Sequence, residues 1–120
     1  MEQKKIEMLE NGGIDVAGTV ARFSGNQDLF LMFLNKFTND DSFNKIAPAF
    51  AANDAQEALN TTHSLKGVSG NLGMSELYDA CSNTVALLRA DKYEEAKASY
   101  QAIETAYHKV IDLIDKVGNE

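Results

Sequence analysis

Apolar residues recur three and four positions apart along most of the chain, the spacing that gathers them on one side of an α-helix. Leu29, Phe30, Phe33, Leu34 and Phe37 form a broad stripe in a helix predicted from Gln27 to about Asn39, with Asn26 as its N-cap. Phe43, Ile46, Ala47 and Phe50 mark a second between Ser42 and Ala52, in which Pro48 cannot donate to the carbonyl of Asn44 and predicts a kink or weakened turn. Asp54 and Glu57 have the spacing of a capping box and open a third helix, which ends near residues 71–73 with a glycine at its C-cap. Leu77, Cys81, Thr84, Val85 and Leu88 line a fourth. Ala96, Tyr100, Ile103, Tyr107, Val110, Ile114 and Val117 make the seam of a long last helix, with Asp91 and Glu94 as its capping pair. Upstream, Asp15 to Phe23 reads as a short helix with Val16, Val20 and Phe23 on one side, while residues 1–12 fit a short helix or a loose tail. No strand-like alternation and no long internal repeat interrupts this pattern. It predicts an all-α fold in one domain, residues 1–120: an antiparallel four-helix bundle over roughly residues 27–117 with short additional N-terminal helices.

One stretch departs from an ordinary amphipathic helix. Along 63–73, HSLKGVSGNLG, the helical step of about 100° per residue puts Lys66 about 60° and Gly67 about 40° from His63, with Gly70 within about 20°. Ala58, Leu65, Val68, Ser69 and Leu72 fall on the opposite face, which predicts that they turn inward. Three glycines within seven residues weaken a helix, each by up to about 1 kcal/mol relative to Ala. A glycine one turn beyond a histidine leaves the imidazole open to a large partner. The lysine one turn on sets a positive charge beside any anion the ring carries.

Composition narrows the classes. The chain has 120 residues, 44% of them hydrophobic and 24% charged, enough for one core without disulfide or metal. The formal charge of −7 argues against nucleic acid or an anionic membrane surface as partner and favours a protein. There is no apolar run of membrane-spanning length, and the charged N-terminus is unlike a signal peptide, so the expected location is cytoplasmic. The single cysteine, Cys81, lies within an apolar stripe and reads as a packed thiol; with it and two histidines no metal site is expected. His108 has no motif around it, and the carboxylates 40–41 and 94–95 read as caps and solvated faces.

The run H-x-L-K-G-x-x-G-N-x-G resembles the signature of histidine-containing phosphotransfer (HPt) domains of bacterial phosphorelays. Gly13-Ile14-Asp15-Val16 and Arg22-Phe23-Ser24-Gly25-Asn26 look like the opening of that family, so the resemblance extends from about Gly13 onward; Val68, Met74 and Pro48 are small departures. The resemblance implies reversible phosphorylation of His63, with Lys66 stabilising the phosphate, Gly67 giving the imidazole clearance, and Gly70 and Ser64 at the partner interface. It implies response-regulator receiver domains and a hybrid histidine kinase as partners of a monomer, no bound cofactor, and Mg²⁺ on the receiver. The competing class is a helical-bundle adaptor that binds a signalling partner without phosphorylation. No ATP-binding glycine loop supports a stand-alone kinase.

Overall fold

Residues 3–120, the part of the chain that the computed structural model describes, form seven α-helices: α1 (Gln3–Asn11), α2 (Val16–Arg22), α3 (Gln27–Phe37), α4 (Ser42–Ala51), α5 (Ala55–Asn71), α6 (Ser75–Arg89) and α7 (Tyr93–Gly118). Among the described residues the one extended pairing is an isolated antiparallel bridge between Ile14 and Met74. α4 to α7 make the antiparallel four-helix bundle: α5 packs between α4 and α6, α7 packs on α6, and α7 also meets α4. α7 has 26 residues and is the longest element of a molecule measuring 45 × 26 × 21 Å. α1 lies along it, so of the two readings open for residues 1–12 the structure contains the helix, with Leu9 buried; Met1 and Glu2 fall outside the described residues.

The core follows the stripes. Leu65, Leu77, Cys81, Ile103 and Ile46 are fully buried, as are Phe30, Leu34 and Phe37 of α3. An aromatic seam joins α4 to α7: Phe43 stacks on Tyr107 with centroids 3.8 Å apart, and Phe50 meets Tyr93 and Tyr100. The Tyr93 hydroxyl donates to the Phe50 carbonyl at 2.9 Å. Some positions differ from expectation. α3 ends at Phe37, two residues short, and Phe33 is 38% exposed because it stacks on Phe23 outside the core. In α4 the buried small residue is Ala49, while Ala47 faces solvent. α4 continues through Pro48; Asn44, whose carbonyl loses its helical donor, lies on the exposed face, where water can serve it.

The three connections of the bundle share one geometry. α4, α5 and α6 each end in a Schellman turn, with Asn53, Gly73 and Asp91 in the left-handed region at φ 55°, 71° and 57°. The next residue donates back into the helix it leaves: Asp54 to Ala49, Met74 to Ser69 and Lys92 to Leu87, at 3.0, 2.9 and 2.9 Å. That same residue is the N-cap of the following helix. Such a turn reverses the chain in three residues and forces neighbouring helices antiparallel. Asp54 also caps through its side chain, accepting from the Glu57 amide at 3.1 Å as the capping-box spacing predicts. Asp91 does not cap α7: it is the left-handed residue of the turn, and the N-cap is Lys92, without a side-chain bond.

Candidate phosphotransfer site

α5 is placed so that one face is core and the other open. Ala58, Leu65 and Ser69 are buried, with Leu72 just past the helix end, and Val68 is half-buried. His63, Ser64 and Gly67 are exposed, and Lys66 and Gly70 are half-buried. His63, Lys66, Gly67 and Gly70 line one open depression of about 560 Å³, as the helical angles predict. Ser64 is not among its lining residues, and its hydroxyl donates to the Asn60 carbonyl at 3.1 Å. The other walls come from the α2 side (Asp15, Arg22), from the α5–α6 turn, and from Tyr78 and Asp79 of α6.

The two glycines of the strip differ. A Cβ added at Gly67 would meet nothing within 4 Å, the imidazole included, so this glycine faces open space. A Cβ at Gly70 would come within 2.9 Å of the Tyr78 ring, so this glycine seats a side chain of the chain itself. Lys66 Nζ stands 5.7 Å from the centre of that same ring, a cation–π distance.

The end of α5 is held from α2. The Arg22 guanidinium donates to the carbonyls of Gly70 and Asn71 at 3.1 and 3.2 Å, which satisfies helix-end acceptors and places a cation at the negative end of the helix. It also donates to the Thr19 hydroxyl at 3.2 Å. Asp15 caps α2 by accepting from the Gly18 amide, and its own amide donates to the Gly73 carbonyl at 2.9 Å. Gly73 is confined on both counts: its φ is positive, and a Cβ would lie 2.3 Å from the Thr19 hydroxyl and 2.7 Å from the Asp15 carbonyl.

Cys81 is buried, and desolvation pushes its thiol up to about 12 despite the opposing pull of the Lys66 charge. It is a packed group, as its stripe predicts. His108 is exposed, edge-on to Phe43, and not among the residues lining the depression. Among the described residues no cluster of three or more His, Cys, Asp or Glu is arranged to hold a metal. Asp15, Asp79 and Tyr78 escape single-helix reasoning because they reach the depression from other elements; Tyr78's one signal is an aromatic ring beside, not within, the apolar stripe of α6. Arg22 stands in the sequence as part of the family resemblance, with no hint that it grips a helix 48 residues away.

No helix of the described residues is long and apolar enough to cross a membrane. Comparison with curated proteins and with solved structures finds no significant match. The family model of the Hpt domain matches residues 29–119, which take in α4 to α7, nearly all of α3 and the whole 63–73 strip. Hpt domains are helical modules that act in phosphorelays with receiver domains and histidine kinases, as phosphotransfer intermediates and not as stand-alone kinases. The match spans most of the chain and agrees with the seven-helix architecture, and the chain belongs to the Hpt domain family.

Proposed function

We propose that His63 is the phosphoacceptor and that the chain passes a phosphoryl group between the aspartates of two receiver domains. The observation that carries this reading is an exposed imidazole on α5, in an open depression that it shares with Lys66. The Nε2 lone pair of the neutral ring attacks the phosphorus of a receiver's aspartyl phosphate; the N–P bond forms, the P–O bond to the carboxylate breaks, and the carboxylate leaves with its electron pair. The attacking nitrogen carries no proton, so no general base is required of this chain. Return to a second receiver is the reverse step.

In-line placement and neutralisation of the equatorial oxygens are what such a transfer demands. Lys66 supplies a cation from this side. Mg²⁺ and the acceptor carboxylate belong to the receiver. Of the two carboxylates that line the depression, Asp15 is engaged in capping α2. Gly67 leaves room for the receiver's approach.

The test is transfer from receivers phosphorylated in vitro, screened with and without Mg²⁺. An acid-labile, base-stable phosphoramidate on this chain is expected, and its loss in His63→Gln. A chain that binds receivers equally well but never takes up label would be an adaptor instead.

A further inference from the structure

We propose that Tyr78 is a positioning residue for Lys66, an inference that rests on the reading of His63 as phosphoacceptor. Three observations converge on one ring. Tyr78 projects from α6 into the depression that contains His63 and remains 38% exposed, although it is a large apolar side chain. It lies against Gly70, where even a methyl group would come within 2.9 Å of Cδ2 and 3.1 Å of Cε2. Lys66 Nζ lies 5.7 Å from its centroid.

A lysine on an open helix face is a point charge on four rotatable bonds, and its ammonium spends most of its time away from any one place. The quadrupole of an aromatic face gives it a preferred location. Tyr78 keeps the ammonium at the wall of the depression, so that less of its motion must be arrested when a phosphoryl group arrives between the two proteins. The contact leaves the charge intact, because an aromatic face, unlike a carboxylate, neutralises nothing. An ion pair at this place would hold Lys66 more firmly but would compete with the phosphate for it. The ring also accounts for Gly70, the glycine of the strip that sits beneath a neighbour instead of facing open space.

The hydroxyl has no part in this, so the ring alone should suffice. In Tyr78→Phe the rate of transfer from a phosphorylated receiver at saturating receiver should stay at the wild-type value. In Tyr78→Leu it should fall about two- to fivefold, the factor that an exposed cation–π contact commands. The Lys66 ε-methylene protons should show an upfield ring-current shift in the wild type and in Tyr78→Phe, lost in Tyr78→Leu. In a Lys66→Gln background, Tyr78→Leu should slow transfer no further. The proposal is overturned by wild-type transfer in Tyr78→Leu, by equal losses in the Phe and Leu variants, by an absent ring-current shift in the wild type, or by additive losses with Lys66→Gln. Failure of the wild type to accept label from any receiver would overturn the His63 reading itself, and the role of Tyr78 with it.

Discussion

Gly67 and Gly70 sit three residues apart on one strip, but only Gly70 has a neighbour against it, the Tyr78 ring. At Gly67 a methyl group meets no atom of the chain, so Gly67→Ala should remove a helix-breaking residue at no steric cost and stabilise the fold by up to about 1 kcal/mol. On the proposed reading the same methyl group stands in the receiver's path, and transfer should slow. Thermal unfolding set beside the transfer rate checks this opposition; a variant both stabler and as fast as wild type would remove Gly67 from the interface. Cys81 gives a second residue-level prediction. Burial raises its thiol from an ordinary 9.0 to about 12, and Tyr100 and Tyr107 are likewise raised, first by burial and then by Glu104 and Asp40 respectively. A group protonated in the folded state and ionised in the unfolded one favours unfolding. The contribution of Cys81 is therefore intact below pH 9 and is lost as pH climbs towards 12. Cys81→Ala should show a shallower loss of stability across that window in denaturant titrations, and native wild-type protein at pH 8 should resist alkylation until it is unfolded.

Among the elements, the turn between α5 and α6 bears most directly on the site, because it joins the helix of His63 to the helix of Tyr78. Gly73 combines a left-handed φ with backbone and hydroxyl oxygens closer than any real Cβ tolerates. Gly73→Ala should cost at least about 2 kcal/mol, the sum of left-handed strain and a clash with nothing soft to yield. Denaturant unfolding measures it, and a loss under half that size would mean that the turn can relax. The helices themselves were legible because buried faces at 3.6-residue period are a local signal. The left-handed conformation of the turns was legible only where glycine announces it. Gly73 reads as a helix stop, but Asn53 and Asp91 adopt the same conformation, and Asp91 looks from its spacing to Glu94 like the first residue of α7 when it is the last of the turn before it.

For the molecule as a whole, the candidate site divides into a part written along one helix and a part assembled by packing. His63, Lys66, Gly67 and Gly70 share a face for reasons of angle alone, and their placement follows from the sequence of α5. Arg22, Asp15 and Tyr78 arrive by tertiary contact, and no periodicity within α2 or α6 could have named them. The burial of Phe30, Phe37 and Leu34 against the bundle was likewise visible, whereas the exposure of Phe33 depends on its stacking partner Phe23 in another element. What the assembled fold offers is an exposed imidazole and a lysine lining one open depression, to which, on the proposed reading, a receiver brings the remaining chemistry. The most direct test is to locate the phosphoryl group after transfer from a phosphorylated receiver, by fragmentation mass spectrometry under neutral to alkaline conditions. The phosphoryl group should sit on His63 and be absent from His63→Gln at any receiver concentration. Its appearance on His108 or any other residue, or persistence of wild-type labelling in His63→Gln, would contradict the account.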